Sequence, residues 1–428
     1  MPIRDSPVYL ANSGRECVVG RMLGEGGEGQ VYETTLAGDP SSYALKWYHP
    51  EQATDARRQA LGRLIDIGPP DDRFLWPLEL AYRPGTAEFG YLMLLRPSRF
   101  HGLGEYLARR VTAEFRELAL AAIQLAHGFL QLHAKGLCYR DISYGNAFFD
   151  PDSGDVLICD NDNVGIDGEA TLVMGTPYFM APEIVRREAM PSANTDRFSL
   201  AVLLFYLFML DHPLLGQAES DEPALVDLFG VKPTFIFDPD DPSNRPVEGV
   251  HRNALFFWPL YPTYLRALFT RSFTAGLADP VNGRVRESEW RRAFARLYDS
   301  VVPCKSCGTQ NFLDHARDDA WTCCNLECGR PVPAPPRLLV GQHEVALAGG
   351  TRLYPHHLGG RLYDFSDPIA VVVEHETYDL TGLTNTSQRT WSVVSPDGRT
   401  ATVGPLATVS IAPDLQIDFG TGQGVIGA

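Results

Sequence analysis

Short apolar runs alternate with glycines along the first part of the chain. Between residues 17 and 48 this alternation predicts antiparallel strands joined by tight turns. A polar, helix-compatible stretch then runs from Glu51 to Ile67 and ends at a Gly-Pro-Pro sequence, which predicts a single helix. Two further apolar runs, Leu75–Leu80 and Tyr91–Leu95, predict two more strands. Residues 1–95 are therefore predicted to form a small β-rich lobe.

The spacing of apolar residues changes from Leu103 onward. The segment AEFRELALAAIQLAHGFLQLHAKG has apolar residues at i, i+3, i+4 and i+7 and ends in a glycine, which is typical of a long capped helix. Similar spacing predicts helices over residues 195–211, 262–276 and 287–301. A mainly helical second lobe is thus predicted over residues 96–302. A Pro- and Asp-rich insertion with several turns interrupts it between about 217 and 262.

The last part of the chain has a different character. A proline-rich stretch at 331–337 predicts a stiff linker that closes a cysteine-rich segment over 303–336. After it, short alternating segments separated by Gly, Asp-Gly and Pro predict a small β-sandwich over 337–428. The predicted fold class is α+β, with a small all-β C-terminal domain. We interpret that domain as a docking or regulatory module whose ligand the sequence does not specify.

The composition narrows the choice of partners and location. The 428 residues carry a formal net charge of −16, which argues against nucleic acid or an anionic membrane as the main partner, because such binding needs clustered Lys and Arg. The longest apolar run, Leu200–Leu210, is far shorter than the ~20 residues of a membrane span. The N-terminal sequence has no apolar segment after a basic start, so we expect a cytoplasmic protein.

A glycine-rich turn and a strand lysine are the first candidate site residues. Gly24, Gly26 and Gly29 lie in GEGGEGQV between two predicted strands, where the absence of side chains lets the backbone approach phosphates. The next strand carries Lys46 in YALK, an ammonium placed to hold phosphate oxygens. Each motif alone also fits a plain hairpin turn or a solvated strand lysine. Their spacing favours a nucleotide site.

A polar segment, YRDISYGN at 139–146, directly follows the long predicted helix. It resembles the catalytic loop H-R-D-x-x-x-x-N of protein kinases, and this resemblance implies that Asp141 accepts the proton of the substrate hydroxyl and that Asn146 ligates Mg²⁺. Further on, the apolar segment VLIC is followed by Asp160, which we interpret as the second magnesium ligand. The alternative interpretation of that aspartate is an Asp- and Asn-rich turn.

The segment GTPYFMAPE at 175–183 completes the series. With the upstream motifs in the same order, the chain resembles the eukaryotic-like protein kinases from about Val18 to Val301. The resemblance implies a bilobal kinase fold, ATP and Mg²⁺ or Mn²⁺ as cofactors, and transfer of the γ-phosphate to Ser or Thr hydroxyls of a protein substrate. It also implies autophosphorylation of the activation segment at Thr171 or Thr176.

The resemblance assigns roles to residues outside the main motifs. Asp196 is implied to brace the catalytic loop, and Arg284 is implied to pair with Glu183 of the activation segment. The implied nucleotide-binding residues beyond the glycines and Lys46 are Val31, Ala44, Met93 and Leu95.

The chain departs from the kinase pattern around the metal and the phosphates. Ser143 stands where Ser/Thr kinases usually carry a lysine, which removes a cation from the transition state. Asn161 and Asp162 replace the Phe and Gly that usually follow the metal-binding aspartate.

The predicted N-lobe helix shows the largest departure. No glutamate lies between Glu51 and Glu79 to pair with Lys46, so the alternatives are that Asp55 or Asp66 takes this role or that Lys46 has a different ion-pair arrangement. This loss and the altered segment after Asp160 leave a second hypothesis open, in which the chain is a pseudokinase that binds nucleotide as a scaffold.

Features outside the catalytic motifs indicate a particular group of bacterial kinases. The FLWP sequence after the helix, the PTFIFDPDDPSNRP insertion and the cysteine-rich and β-rich tail resemble bacterial kinases of tellurite-resistance-type (TerY) gene clusters. That resemblance implies a von Willebrand A-type protein and a metal-dependent protein phosphatase as partners.

Five of the eight cysteines lie between residues 304 and 328. Cys304, Cys307, Cys324 and Cys328 form two pairs that are each followed by glycine, which predicts the knuckles of a zinc ribbon around a structural Zn²⁺. Because the second pair departs from C-x2-C spacing, Cys323 and His315 are alternatives to Cys324. Free cysteines in a loop are the competing interpretation.

Overall fold

The structure, a computed structural model, describes residues 7–169, 171, 173–218, 227–314, 321–360, 362–375 and 380–427. The chain divides into two compact units. The first consists of Met1–Ala113, Gln124–Ala254 and Phe269–Trp290, and the second of Glu114–Ile123, Leu255–Leu268 and Arg291–Ala428. The domain boundaries at 95, 302 and 336 stay predictions.

The first unit begins with a closed antiparallel barrel in the order β1-β2-β3-β4-β6-β5. Its strands are β1 (Val8–Leu10), β2 (Glu16–Glu25), β3 (Gly29–Leu36), β4 (Asp39–Tyr48), β5 (Glu79–Tyr82) and β6 (Phe89–Leu94). On β3, Tyr32, Thr34 and Leu36 are buried and alternate with half-buried residues, as the two-residue period of a strand requires. The β-rich lobe predicted from the sequence is present.

One of the two strand assignments after the helix is wrong. Leu75–Leu80 was predicted as a strand, whereas the strand in this region is β5. Pro77 has no N–H to donate to a sheet, and the Leu75 amide donates to the carbonyl of Ile158 at 2.9 Å instead. The other strand, β6, begins two residues before the predicted Tyr91.

The helix of the barrel lobe is α1 (Asp55–Ile67). The Thr54 side chain accepts a hydrogen bond from the Arg57 amide at 3.2 Å and caps the first turn. Gly68 ends the helix with a φ of 71°, a conformation that favours glycine. The helix faces the barrel with Leu61 and Leu64, which are both buried.

A mainly helical lobe follows the barrel. Its helices are α2 (Leu103–Leu107), α3 (Phe115–Ala134), α4 (Pro182–Val185), α5 (Ala193–Met209), α6 (Arg252–Phe257), α7 (Thr263–Ser272), α8 (Ala275–Ala278) and α9 (Glu287–Asp299). Short strand pairs carry its loops: β7 (His101–Gly102), β8 (Leu137–Cys138), β9 (Ala147–Phe149), β10 (Val156–Ile158) and β11 (Gly165–Ile166). Single turns lie at Asn161–Asn163, Asp227–Val231, Pro242–Asn244 and Trp258–Leu260.

Helix α5 forms the centre of this lobe and is buried along nearly its whole length. Within the described parts of the chain, no helix combines the length and apolarity needed to cross a membrane. The helix predicted over 262–276 is divided into α7 and α8, because the Thr274 hydroxyl donates to the Thr270 carbonyl at 2.7 Å and its backbone leaves the helical region.

The second unit contains the all-β C-terminal region that the sequence predicts. A hairpin of β12 (Val301–Pro303) and β13 (Gln310–Phe312) precedes two sheets. One sheet has the order β15-β14-β23-β22-β19-β20 and the other β16-β17-β18-β21. The strands are β14 (Arg337–Val340), β15 (His343–Ala346), β16 (Arg352–Leu353), β17 (Ala370–Glu374), β18 (Thr381–Asn385), β19 (Trp391–Val394), β20 (Thr400–Val403), β21 (Thr408–Ser410), β22 (Gln416–Asp418) and β23 (Gln423–Gly427). Residues of both sheets share one core around Trp391 and Leu383.

Candidate active site

The glycine-rich sequence forms the hairpin between β2 and β3. The Gly26 amide donates to the Gly29 carbonyl at 2.9 Å and closes the turn. A Cβ on Gly29 would lie 2.2 Å from the Trp47 carbonyl oxygen, so this glycine is needed for strand packing. A Cβ on Gly24 or Gly26 would meet nothing within 4 Å. The open side of the hairpin thus presents bare backbone, as a phosphate-binding turn requires.

The four predicted adenine-contacting residues lie together. Ala44 and Met93 are direct cross-strand partners on β4 and β6, and both are buried. Val31 and Leu95 are half-buried and pack against the same apolar cluster. The structure therefore brings these residues to one wall beside the glycine hairpin.

Lys46 lies on β4 and is surrounded by carboxylates. Its Nζ lies 2.5 Å from Asp160 Oδ1, 2.8 Å from Asp162 Oδ2 and 3.2 Å from Glu28 Oε2. Only 5% of Lys46 is exposed. Burial alone would lower the pKa of this ammonium, but the charges of Asp162 and Asp160 outweigh burial and hold the pKa well above its usual value. Lys46 is therefore a fixed cation.

Helix α1 does not supply a carboxylate to this lysine. Asp55 and Asp66 are exposed, and neither contacts Lys46 in the described structure. The helix contributes a cation instead, since Arg57 Nη2 donates to Glu28 Oε1 at 2.8 Å. The suggested substitution of the missing glutamate by Asp55 or Asp66 is wrong in this structure.

Asp141 and Asn146 lie in the loop between β8 and β9. Asn146 Nδ2 donates to the Asp141 carbonyl at 2.9 Å and approaches Asp141 Oδ2 at 3.3 Å. The Thr176 hydroxyl donates to Asp141 Oδ1 at 2.6 Å. Burial raises the pKa of the Asp141 carboxyl. The loop thus presents a carboxylate that already accepts a hydrogen bond from the hydroxyl of a threonine side chain.

Asp196 at the start of α5 holds the backbone of this loop. Its carboxylate accepts the amides of Tyr139 at 2.5 Å and Arg140 at 3.0 Å. Arg140 has a φ of 73°, a strained conformation for a non-glycine residue, so the two hydrogen bonds fix a backbone that would otherwise relax. His133 contacts the same carboxylate and also Glu287, at 3.1 and 2.6 Å. Sequence reasoning missed His133 and Glu287.

The activation segment is tied to the helical lobe at its end. Arg284 Nη2 lies 2.8 Å from Glu183 Oε2, and the arginine side chain is 2% exposed. Thr171 lies on the wall of a cavity that is also lined by three arginines, Arg57, Arg63 and Arg140. The two threonines of the segment therefore have different surroundings, because only the Thr176 hydroxyl is bonded to Asp141.

Asn161 anchors the segment that carries Asp160. Its buried amide donates to the carbonyls of Leu75 and Ile158, both at 2.9 Å. An amide with two backbone partners takes the place of the apolar ring that kinases usually have here. Asp160 itself adopts a left-handed backbone conformation with a φ of 55°, and its side chain remains 36% exposed. The segment is fixed while Asp160 faces open space.

The donor set around Asp160 suits a divalent cation. Oxygens of Glu28, Asp160 and Asp162 lie within 4.8 Å of one another. Burial and the neighbouring Asp162 raise the pKa of Asp160 although Lys46 opposes this shift, and three carboxylates here share one lysine. Carboxylate oxygens are the ligands that Mg²⁺ prefers. Asp160 is the most exposed of these three carboxylates and would hold the metal, whereas a role of Asn146 in metal binding stays a prediction.

The cysteine cluster lies in the second unit and consists of Cys304, Cys307, Cys323 and Cys328. Two Sγ pairs, Cys304 with Cys328 and Cys307 with Cys323, are 3.8 and 3.5 Å apart. Tetrahedral zinc with bonds of about 2.3 Å places its sulfurs ~3.8 Å apart. The spacing of the four thiols therefore fits one zinc ion.

Cys324 does not belong to this group, and its predicted place is taken by Cys323. The Cys324 Sγ points to the Gln310 carbonyl at 3.4 Å. Neighbouring residues of an extended segment point to opposite sides, so only one of the two adjacent cysteines can face the other thiols. The alternative ligand His315 lies outside the described residues.

A second group of metal-ligating types, Asp299, His343 and His356, also lies in the second unit. The Tyr363 amide donates to His356 Nδ1 at 3.0 Å, so the neutral ring carries its proton on Nε2 and cannot offer that nitrogen to a metal. Asp299 Oδ1 accepts from His357 Nε2 at 2.9 Å. We assign this group to the packing of the unit.

The fold and the site define a class of protein. The family described as "Protein kinase domain" matches residues 17–245, which is more than half of the chain, and the chain belongs to this family. The expectation of a kinase fold with an added all-β region is thereby confirmed.

Among individual relatives, the protein kinase YegI of Escherichia coli (strain K12) is 25% identical over 333 residues, which cover 73% of this chain and 49% of YegI. The protein kinase gsk3 of Schizosaccharomyces pombe is 25% identical over 275 residues, which cover 59% of this chain and 64% of gsk3. A probable serine/threonine-protein kinase of Zea mays, CCRP1, is 30% identical over 196 residues, 44% of this chain and 31% of CCRP1. The chain matches less than two thirds of the length of each.

Proposed function

We propose that the chain is an ATP- and Mg²⁺- or Mn²⁺-dependent protein kinase that transfers the γ-phosphate to Ser or Thr hydroxyls of protein substrates. The observation that carries this proposal is the direct contact between Lys46 of the barrel and Asp160 of the helical lobe, at 2.5 Å. This contact brings the proposed phosphate-binding group, Lys46, next to the proposed metal-binding group, Asp160. Family membership and the Ser/Thr kinases among the relatives support the same activity.

Each residue of the proposed site has a distinct task. The backbone at Gly24 and Gly26 faces the phosphates, and Lys46 neutralises phosphate oxygens. Asp141 orients the substrate hydroxyl and accepts its proton, a role for which the existing bond from the Thr176 hydroxyl is a precedent within the site. Metal held by Asn146 and Asp160 offsets the charge that develops on the transferred group.

A pseudokinase is the second candidate, and the missing glutamate of α1 is the observation that favours it. The contacts of Lys46 weaken that argument, because three carboxylates hold the lysine without any contribution from α1. Burying a lysine among carboxylates costs desolvation free energy, and a lysine without a catalytic role would not be expected in such a position.

For autophosphorylation we favour Thr171 over Thr176. The Thr176 hydroxyl is bonded to Asp141, and Thr176 therefore belongs to the site itself. Thr171 shares its cavity with Arg57, Arg63 and Arg140. Arg63 and Arg140 lie 3.7 and 3.8 Å from Glu169, and a phosphate on Thr171 would compete with that carboxylate for their charges. As partners we propose a von Willebrand A-type protein and a metal-dependent protein phosphatase, on the resemblance to TerY-cluster kinases alone.

Transfer of radiolabelled γ-phosphate by the purified full chain tests the proposed activity. We expect metal-dependent incorporation, with phosphoserine and phosphothreonine after acid hydrolysis and with Thr171 as a labelled site. The same reaction with EDTA provides the blank. Incorporation at the level of that blank with both Mg²⁺ and Mn²⁺ would support the pseudokinase instead.

We also propose that Cys304, Cys307, Cys323 and Cys328 bind a structural Zn²⁺. The expected result is that Cys323→Ser loses the bound zinc and lowers the melting temperature of the chain, because metal binding to such sites contributes directly to folding. The adjacent Cys324→Ser is the matched control and keeps the zinc. Metal content measured by mass spectrometry decides this, and loss of zinc from the Cys324 variant alone would refute the assignment.

A further inference from the structure

We propose that Asp162 is the positioning residue that holds Lys46 in place for phosphoryl transfer, a task that kinases usually give to a glutamate of the N-lobe helix. The inference rests on the proposed kinase function. It identifies the residue that fixes the position of Lys46 in the phosphate-binding site. It concerns a position where the kinase pattern has glycine, which has no side chain and cannot perform this task.

The surroundings of Asp162 are those of a fixed anion. Its side chain is 1% exposed, and its two carboxylate oxygens lie 2.9 and 2.8 Å from Lys46 Nζ. The hydroxyls of Tyr48 and Tyr91 donate to the same carboxylate, Tyr48 at 2.5 Å and Tyr91 at 3.3 Å. Two buried hydroxyls and one ammonium therefore satisfy both oxygens of Asp162, and a buried carboxylate is stable only with such partners.

The other two carboxylates near Lys46 are less suited to this role. Asp160 and Glu28 are 36% and 29% exposed, and both face open space. Asp160 is the residue proposed to bind the metal, and Glu28 is shared with Arg57 of α1. Asp162 is the one carboxylate of the three that is almost fully buried, and both of its oxygens already accept from Lys46 and the two tyrosines. It can hold Lys46 while Asp160 is engaged with a metal ion.

The backbone of Asp162 is held as firmly as its side chain. Asn161, the preceding residue, is fully buried and donates to the carbonyls of Leu75 and Ile158. Asp162 lies in the single turn Asn161–Asn163, next to this anchor. The two substitutions that depart from the kinase pattern therefore act together, because the asparagine fixes the segment from which the aspartate reaches the lysine.

A consequence concerns helix α1. Since the anchor of Lys46 comes from the helical lobe, a displacement of α1 would not release the lysine. Such a displacement would break the 2.8 Å contact between Arg57 of α1 and Glu28, and would thereby release Glu28 in the glycine hairpin. Substitution of acidic residues on α1 is therefore expected to leave the position of Lys46 unchanged.

Asp162→Asn tests the inference in the full chain. We expect kcat/KM for γ-phosphate transfer to fall roughly 10- to 100-fold, as when a group that orients a catalytic residue is lost. Tyr48→Phe removes one hydrogen bond from Asp162 and should have a smaller effect of the same kind, and Asp162→Glu should restore part of the activity. The exposed Asp55→Asn and Asp66→Asn on α1 are matched controls with wild-type kinetics.

A second readout does not depend on activity. The chain has only four lysines, Lys46, Lys135, Lys232 and Lys305, so 13C-labelled lysine side chains give few NMR signals to assign. In Asp162→Asn the order parameter of the Lys46 side chain, measured by NMR relaxation at neutral pH, should fall because the ammonium loses its most buried partner, whereas Asp55→Asn and Asp66→Asn should leave it unchanged.

The two readouts separate the possible failures. If the wild-type chain transfers no phosphate, the proposed function fails, and the mobility of the Lys46 side chain still decides whether Asp162 holds Lys46. A folded Asp162→Asn chain with an unchanged Lys46 order parameter would overturn the inference. If the asparagine variant does not fold, the same relaxation measurement and kinetics on Tyr48→Phe decide, and wild-type values of both would overturn it.

Discussion

Asp141→Asn is expected to lower kcat for phosphoryl transfer roughly 10²–10⁴-fold, the usual contribution of a positioned general base. The amide has the shape of the carboxylate but cannot accept the proton of the substrate hydroxyl. Thr176 and Asn146 donate to different oxygens of the Asp141 carboxylate, and an asparagine keeps only one of these two acceptors. The loop should still keep its conformation, because Asn146 also donates to the Asp141 backbone carbonyl at 2.9 Å and Asp196 holds the amides of Tyr139 and Arg140. The KM for ATP should therefore change by much less than kcat. Steady-state kinetics with radiolabelled ATP measure both constants.

The matched control for this change is Asp152→Asn, an exposed aspartate of the neighbouring turn, which should keep wild-type kcat. Burial raises the pKa of Asp141. As the solution is acidified, the wild-type rate should therefore begin to fall at a higher pH than it would with an aspartate of ordinary pKa. Equal kcat in wild type and Asp141→Asn would mean that another group accepts the proton.

The second large effect concerns the buried charges behind the catalytic loop. Burial alone would lower the pKa of His133, but its hydrogen bonds to Asp196 and Glu287 raise that pKa to about 9. The protonated form of His133 therefore stabilises the folded chain. This contribution is complete below the unfolded pKa near 6.5 and is lost as the pH rises through about 9. On the order of 3 kcal/mol of folding free energy should disappear between those values.

Thermal unfolding as a function of pH measures this contribution. The melting temperature of the wild type should fall between about pH 6.5 and 9 more steeply than that of His133→Gln, whose side chain does not titrate. Glu287 does not add to the pH dependence of stability between pH 6.5 and 9. Burial would raise the pKa of its carboxyl, but the hydrogen bond and charge of His133 outweigh burial and lower that pKa to about 2. At pH 10 the two proteins should differ least. Parallel curves across the whole range would show that His133 is neutral in the folded chain.

The kinase fold was predictable because its motifs are local and occur in a fixed order. The glycine hairpin, the loop of Asp141 and Asn146, and the segment ending at Glu183 each show their chemistry within a few residues. The pair of Arg284 and Glu183, 2.8 Å apart, followed from the same resemblance. Such motifs identify individual residues from the sequence alone, including two residues that are 101 positions apart along the chain.

The partner of Lys46 was not predictable in the same way. Asp162 lies 116 positions from Lys46 along the chain, and it replaces a glycine in the pattern, so it was interpreted as a loss. Its function depends on two tyrosines from β4 and β6 that carry no motif. The sequence left the choice between Cys323 and Cys324 open for a related reason, because adjacent residues differ only in the side of the chain to which they point.

The central claim is that Lys46, Asn146 and Asp160 together bind a metal-bound triphosphate. The most direct measurement is the thermal stabilisation of the chain by a non-hydrolysable ATP analogue, with and without Mg²⁺, in wild type and in Asp160→Asn. At about 100 times the dissociation constant, the wild type should gain ~2.7 kcal/mol of stability with Mg²⁺ present, and Asp160→Asn should gain much less. No stabilisation of the wild type with either Mg²⁺ or Mn²⁺ would contradict the claim.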